Sequence, residues 1–250
     1  MRLPRWFHLL GSPPFVYRLA GKVAPWLGVV TCVLLAVGGY WGLVVAPPDR
    51  VQGEVYRVLF IHPQIAYVSV MAYVVMAIAA GIGFVWRIKL AHGVAATAAP
   101  IGASFTACAL ATGALWGRPT WGTYWQWTDP RIMSETLLLF LFLGYLALRA
   151  AFEDRDKADR VSAILAVVGV VDVPIIHYSV IWWNSLHQGP SIMKLDKPSI
   201  SPEMLTPFLI MVAAFTACFC WLLLNGLRGE IVERERDTRW IRELVAGTRG

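Results

Sequence analysis

Six long apolar runs constrain this chain more than any other feature of its sequence. They cover residues 24–46, 60–86, 94–116, 133–151, 161–181 and 205–226. A helix rises about 1.5 Å per residue, so about 20 apolar residues cross the hydrocarbon core of a bilayer. Backbone groups in lipid need internal partners, and none of the runs alternates like a barrel strand. The sequence therefore predicts an all-α integral membrane protein with six transmembrane helices.

The composition agrees with this class of protein. Of the 250 residues, 57% are hydrophobic and only 15% are charged, which is unlike a soluble globular domain. The segments between the apolar runs are too short to bury a separate aqueous core. We therefore expect residues 1–250 to form one membrane domain, with residues 1–23 as an interfacial segment on the bilayer and residues 227–250 as a solvated, charged tail.

The basic residues are distributed unevenly between the two sides of the predicted bundle. Sixteen lie in the tails and in the second and fourth connecting segments: Arg2, Arg5, Arg18, Lys22, Arg87, Lys89, Arg149, Arg155, Lys157, Arg160, Arg228, Arg234, Arg236, Arg239, Arg242 and Arg249. Six lie on the other side: Arg50, Arg57, Arg118, Arg131, Lys194 and Lys197. Because cytoplasmic segments are enriched in Lys and Arg, both termini should be cytoplasmic. The net charge of +6 is scattered, so no nucleic acid partner is expected.

Aromatic side chains collect on the predicted outer side. The stretch WGTYWQWTD at residues 121–129 follows Trp116, and two further tryptophans end the fifth run. An interfacial belt explains tryptophans at span ends, but it explains poorly a group confined to one side. The sequence favours a platform for a planar ligand, formed by Trp116, Trp121, Tyr124, Trp125, Trp127, Trp182 and Trp183.

Two histidines border these outer segments. His62 stands in FIHP, where the following proline suits a first helical turn, and His187 stands in LHQG. Neutral imidazole ligates haem iron, and two histidines on opposite faces give six-coordinate iron. A zinc site would need three or four clustered ligands, and the four cysteines lie inside the apolar runs. We interpret His177 as a helix-end residue below the platform.

Two outer arginines are candidates for binding the haem propionates, which need cationic donors. Arg57 precedes His62 by five residues, and Arg131 follows the tryptophan-rich stretch. Binding of lipid headgroups is an alternative role for both arginines. The chain has no CxxCH motif, so it shows no covalent haem site of its own, and non-covalent haem b is the expected ligand.

Three stretches, WGTYWQWTD, FIHPQIAYVS and WWNSLHQG, together resemble the haem exporter protein C family, CcmC, of cytochrome c maturation. The similarity covers nearly the whole chain, including its length and loop order. It implies axial ligands at His62 and His187. The family pattern runs WGxxWxWD, whereas here Thr128 separates the last tryptophan from Asp129. We assign propionate or partner contacts to Arg57, Arg131 and Asp129.

The resemblance also implies a place in the cell and a set of partners. Family members lie in the bacterial inner membrane, bind haem on the periplasmic face and load it onto a membrane-anchored haem chaperone, CcmE. They work with a small membrane subunit, CcmD, and with the ABC transporter subunits CcmA and CcmB. We therefore expect a haem carrier that acts by ligand exchange, rather than an enzyme with independent turnover.

Three other functions stay open on the sequence. A b-type electron-transfer subunit also binds haem, but it places its histidines deep in the helices, and the middles of the six runs contain none. A transporter places broken helices and ionisable groups at mid-membrane, where Asp172 near Pro174 is the candidate. A haem lyase that forms thioether bonds itself is longer and carries more haem histidines.

Overall fold

The computed structural model describes residues 11–189 and 199–247 of the chain. Within these residues the fold has eight α-helices and no β-strand. They are α1 (Pro13–Tyr40), α2 (His62–Trp86), α3 (Lys89–Trp121), α4 (Pro130–Ala150), α5 (Arg155–Gly169), α6 (Asp172–Trp182), α7 (Pro202–Arg234) and α8 (Arg239–Gly247). A π-helical turn, Trp41–Val45, extends α1, and a 3₁₀ helix, Glu54–Phe60, leads into α2.

Six segments are long and apolar enough to cross a membrane, so the predicted all-α fold with six spans is confirmed. The segments are Pro13–Val45, Glu54–Trp86, Lys89–Trp121, Pro130–Ala150, Arg155–Trp182 and Pro202–Arg234. Large apolar side chains on their outer faces, among them Trp26, Val29 and Phe140, are exposed. Such surfaces suit contact with lipid, since a water-soluble fold would bury a larger share of them.

The two ends of the chain differ from the prediction. Helix α1 starts at Pro13, a residue favoured in the first helical turn, so half of the expected interfacial segment belongs to the first span. Residues 1–10 lie outside the described part of the chain. The C-terminal tail is not simply solvated, because Ile241 of α8 is buried and the ring of Trp240 lies 5.8 Å from that of Tyr17 in α1.

The helices pack through small residues at their contacts. Helices α2 and α3 lie against each other, α4 and α5 flank them, and α1 pairs with α7. Gly102 of α3 faces the ring of Phe142 in α4, and this ring meets Tyr73 of α2 edge-on at 5.0 Å. A side chain at Gly102 would displace the Phe142 ring. These contacts fix the relative positions of α2, α3 and α4, and therefore of their outer ends.

The fifth span is broken into two helices. Helix α5 ends at Gly169, and α6 begins at Asp172. Pro174 accounts for the break, because a helical proline clashes with the carbonyl four residues earlier, here that of Val170. Asp172 is 4% exposed, and neither of its carboxylate oxygens has a hydrogen-bond partner among the described residues.

Segments predicted to share a side do meet at one end of the bundle. The end that holds the connection between α4 and α5 carries a charge cluster, in which Asp159 contacts Arg149 and accepts a 2.8 Å hydrogen bond from Arg234. Glu230 lies 2.7 Å from Arg234 and 3.3 Å from Arg149. The opposite end brings together the start of α2, the end of α3, the start of α4 and the segment after α6.

Candidate functional site

The tryptophan-rich stretch is partly helical. The sequence predicts a loop from Trp116 onward, but α3 continues to Trp121 and only residues 122–129 connect it to α4. Pro119 lies inside the last turn of α3, where it removes one backbone hydrogen bond shortly before the helix ends. Gly122 ends the helix with a positive φ of 80°, and its N–H donates to the carbonyl of Arg118, as in a glycine-terminated helix. Trp116 and Trp121 are therefore held on a rigid helix.

His62 opens α2, as the sequence predicts, and its ring is oriented by α3. Its Nδ1 lies 2.9 Å from Oγ1 of Thr112, which is also 2.7 Å from the carbonyl oxygen of Cys108. The threonine hydroxyl donates to that carbonyl, so it accepts a hydrogen bond from the Nδ1–H of His62. The lone pair of the imidazole then lies on Nε2, the nitrogen that is free to bind a metal.

Trp116 packs against this histidine and is itself held in place. Its ring meets the His62 ring edge-on at 5.7 Å. The indole N–H donates to Oε1 of Gln52 at 2.9 Å, and Tyr56 contacts the indole edge-on at 5.9 Å. Gly113, one turn before Trp116, leaves room for the imidazole, since a Cβ atom there would lie 3.0 Å from Cε1 of His62. The segment between α1 and α2, which carries Gln52 and Tyr56, thus forms a wall of this part of the site.

His187 follows α6 and is oriented by Asp129. Its Nδ1 lies 3.3 Å from Oδ1 of Asp129 and 3.4 Å from Oγ of Ser185. A carboxylate only accepts hydrogen bonds, so the proton sits on Nδ1 and the lone pair again on Nε2. Burial lowers the pKa of His187, and the nearby Asp129 carboxylate opposes this only in part. The imidazole is therefore neutral at pH 7.

Asp129 joins two segments of the site. One of its oxygens accepts hydrogen bonds from the backbone N–H groups of Arg131 and Ile132 and caps α4. The other accepts from the Ser185 hydroxyl and the Leu186 N–H, each at 2.8 Å. Burial raises the pKa of Asp129, but these hydrogen bonds outweigh burial and hold the pKa below its ordinary value. Asp129 is 2% exposed, and its carboxylate is engaged by donors of the protein itself.

Arg131 lies near both histidines. Its charge acts on the ring of His62 and on the ring of His187, and His187 also interacts electrostatically with His62. No hydrogen bond of the Arg131 guanidinium is found among the described residues, although Asp129 and Glu135 lie near it. The structure therefore brings both predicted ligands and one predicted arginine to the same place, with the cationic donors of that arginine unused.

The other aromatic residues at the end of α3 and between α3 and α4 fall into two groups, one that packs inside the protein and one that is exposed. The Trp121 ring meets the His187 ring edge-on at 4.6 Å. The rings of Trp125 and Trp127 lie 5.6 Å apart, and the Nε1 of Trp125 is buried without a partner among the described residues. Trp127 is 72% exposed and Tyr124 is 58% exposed. One part of the stretch thus packs around the histidines, and another part faces outward.

Trp182 and Trp183 occupy a different place from the rest of the predicted platform. The ring of Trp182 stacks on Tyr178 at 5.1 Å and meets Trp183 edge-on at 5.7 Å. Trp183 lines an open groove of about 480 Å³ between α4 and α6, whose walls include Met133 and Asp172. His177 lies within α6, with its ring 4.8 Å from that of Tyr178, and not at a helix end. No ring contact links this α6 group to either candidate ligand among the described residues.

Arg57 is engaged within the protein. It forms an ion pair with Glu54, and its Nη1 donates to the carbonyl oxygen of Gly42 at 3.0 Å. These contacts tie the 3₁₀ helix before His62 to the π-helical turn after α1. Arg57 therefore has an ion-pair and a hydrogen-bond partner, whereas the Arg131 guanidinium has neither among residues 11–189 and 199–247.

Sequence reasoning missed four residues that shape the site: Gln52, Thr112, Glu135 and Ser185. Thr112 and Ser185 bind the candidate ligands, Gln52 holds Trp116, and Glu135 lies buried one turn from Arg131. A spacing argument could have found Glu135, because residues four apart share a helix face. Gln52 and Thr112 make contacts between distant parts of the chain, for which the sequence carries no local signal. Ser185 lies two residues from His187, but it also binds the distant Asp129.

The chain is similar to known proteins along nearly its whole length. A family model described as heme exporter protein C matches residues 6–242. The chain is 45% identical to the heme exporter protein C of Haemophilus influenzae over 241 residues, which are 96% of this chain and 98% of that protein. It is also 45% identical to that of Escherichia coli strain K12, over 95% of this chain and 96% of that protein. For Bradyrhizobium diazoefficiens the identity is 44%, over 90% and 85% of the two chains.

Proposed function

Because this chain belongs to the heme exporter protein C family, we propose that it binds haem b non-covalently at the outer end of its helix bundle and passes it to a membrane-anchored haem chaperone. His62 and His187 are the axial ligands in this proposal. The main support for this assignment is the orientation of the two imidazoles. Thr112 binds Nδ1 of His62 and Asp129 binds Nδ1 of His187, so Nε2 of each ring is available to iron.

The residues around the two histidines divide the binding of haem into separate tasks. Thr112 and Asp129 fix the orientation of the ligands. Trp116 and Trp121 pack against the imidazoles and exclude water from them. Arg131 lies near both ligands, and its guanidinium has no hydrogen bond within the described part of the chain, which suits a propionate. Arg57 and Asp129 are weaker candidates for that contact, since both are engaged within the protein.

Transfer in this proposal is a ligand exchange. The chain holds the macrocycle in one position while a side chain of the acceptor replaces an axial histidine, so no nucleophile or general base of the carrier takes part. The exposed rings of Trp127 and Tyr124 are the surface that the acceptor would meet first. Trp182 and Trp183, which lie beside the α6 groove, are assigned to the edge of this surface.

The cellular setting follows from charge and from the family. The end with the charge cluster also holds most of the basic residues, so we assign it to the cytoplasm. The histidine end then faces the periplasm across the bacterial inner membrane. The acceptor would be CcmE, and the further partners would be CcmD and the ABC transporter subunits CcmA and CcmB.

An absorption spectrum of the purified chain loaded with haem tests the ligand assignment. The wild-type chain should give a six-coordinate, low-spin spectrum. His62→Ala and His187→Ala should each give a five-coordinate spectrum or lose haem. His177→Ala is the matched control, since this ring lies against Tyr178, and it should leave the spectrum unchanged. Six-coordinate spectra in both ligand variants would reject the proposal.

A further inference from the structure

Glu135 is a buried acid that the proposed ligation does not use. It lies in the second turn of α4, is 7% exposed and sits four residues after Arg131. Its Oε1 lies 2.6 Å from the hydroxyl oxygen of Ser69, a fully buried residue of α2. An acid within a membrane span is costly unless it has a partner or a function. Glu135 therefore calls for a physical explanation beyond packing.

The charged neighbour of Glu135 is Arg131. The two side chains interact electrostatically, as expected for residues one helical turn apart. The Arg131 guanidinium keeps its charge at any accessible pH, and the contact with Ser69 holds the carboxyl group of Glu135 one helical turn away from it. Asp172 is the other acid near Glu135. Arg131, which lies near both candidate ligands, thus already has an internal acid nearby.

We propose that Glu135 competes with the carboxylates of haem for Arg131 and thereby weakens the hold of the site on its cargo. This inference rests on the proposed function, because it assumes that haem is held beside Arg131. A carrier must bind its cargo and then release it, and a fixed negative charge near the guanidinium lowers the affinity for a second anion. The charge of Glu135 acts on the propionate end of haem and not on the iron, since the iron is held by His62 and His187.

Competition for Arg131 and a purely structural role of Glu135 predict different changes in haem affinity when the charge of Glu135 is removed. Glu135→Gln keeps the size of the side chain and a hydrogen-bonding oxygen for Ser69, but removes the charge. If Glu135 only supported the fold, the variant would bind haem more weakly or equally well. If Glu135 competes for Arg131, the variant should bind haem about tenfold more tightly and release it about tenfold more slowly to an apo-haem acceptor.

Haem dimethyl ester separates the charge effect from all other effects. This porphyrin keeps the iron and the ring but has no carboxylate to bind Arg131. The affinity ratio between haem and its dimethyl ester should therefore rise about tenfold in Glu135→Gln and fall in Arg131→Gln, with unchanged six-coordinate spectra. Ser69→Ala is the matched control, since it removes the hydrogen bond to Glu135 and retains the charge.

Each outcome of this titration decides a question. A ratio that stays constant or falls in Glu135→Gln overturns the inference while the proposed function stands. A wild-type chain that gives a six-coordinate spectrum with neither porphyrin overturns the proposed function, and this inference falls with it. If Glu135→Gln does not fold, Glu135→Asp keeps the charge but draws it back from Arg131, and the ratio should rise by a smaller factor. A constant ratio in that variant overturns the inference.

Discussion

The carboxylate of Asp129 and the imidazole of His187 face each other at 3.3 Å, although Asp129 precedes α4 and His187 follows α6. The same carboxylate caps α4 and binds the backbone of the His187 segment. One buried side chain thus fixes the start of a span and the orientation of a candidate ligand.

Asp129→Asn should weaken haem binding at pH 7 by about tenfold or more, because outer partners of metal-binding histidines contribute on this scale. Asparagine can still cap α4, so the fold should persist. The measurement is a haem titration followed by absorption. Asp49→Asn is a matched control, since Asp49 accepts hydrogen bonds from its own turn, at Val51 and Gln52. Equal weakening in both variants would contradict a specific role for Asp129.

Haem ligation should be lost only below the ordinary histidine pKa of about 6.5. Iron takes the neutral imidazole, and burial lowers the pKa of His187 while Asp129 partly opposes the lowering. In Asp129→Asn this opposition is absent, so the pKa of His187 falls further. The pKa of His187 in the haem-free chain should therefore be lower in the variant, as measured by an NMR titration of the imidazole protons. A pKa that rises in Asp129→Asn would show that the sign is wrong.

Thr112→Val should lower haem affinity about tenfold, because it removes the acceptor that orients the His62 ring. Valine has nearly the same shape, so packing should change little. Thr106→Val on the same helix is the control, since the Thr106 hydroxyl binds only the carbonyl of Gly102 among the described residues. Spectral titration of both variants gives the comparison. Equal affinities would remove Thr112 from the site.

Trp121→Ala should reduce haem affinity by about two- to tenfold, since an edge-to-face ring contact is worth about 0.5–1.5 kcal/mol. The lost contact is the one with His187 at 4.6 Å. Trp86→Ala, which removes an exposed indole at the other end of α2, should have no effect on haem. Haem titration of the two purified variants tests this. A similar loss in both would indicate a general role in membrane insertion.

Asp159→Asn should destabilise the fold by about 3 kcal/mol, because it leaves Arg149 and Arg234 without their buried anion. The control is Asp156→Asn, one turn earlier, where an exposed carboxylate lies 3.8 Å from Lys89 and contributes about 0.5 kcal/mol or less. Thermal unfolding in detergent measures both. An unchanged midpoint for Asp159→Asn would show that the charge cluster does not hold the helices together.

The six spans could be predicted because hydrocarbon thickness and hydropathy are properties of each segment alone. The helix ends could not, since α3 continues through Pro119 to Trp121 and α1 begins at Pro13. A proline in the first turn is compatible with a helix, whereas one further along removes a backbone hydrogen bond and does not by itself show where the helix ends. The break before α6 also has a sequence signal, at Pro174, but the same signal fits an unbroken, kinked helix.

The candidate site was predictable only in its outline. His62, His187 and Arg131 are marked by their residue types beside helix ends and tryptophans. The partners that orient them, Thr112 and Ser185, are common residues whose role depends on distances that only the folded chain defines. Trp182 and Trp183 are grouped with the other outer tryptophans by position along the chain, and only the folded chain shows that Trp182 stacks on Tyr178 and that Trp183 lines the groove.

The two candidate ligands differ in how they are attached to the protein. His62 is the first residue of a helix of 25 residues. Displacing its backbone therefore requires displacing a whole span. His187 follows the last turn of an 11-residue helix and keeps its orientation through hydrogen bonds that converge on one carboxylate. Breaking those few bonds costs far less than displacing a span. In the proposed site the two ligands are therefore held unequally, and an acceptor that captures the iron should replace His187 first.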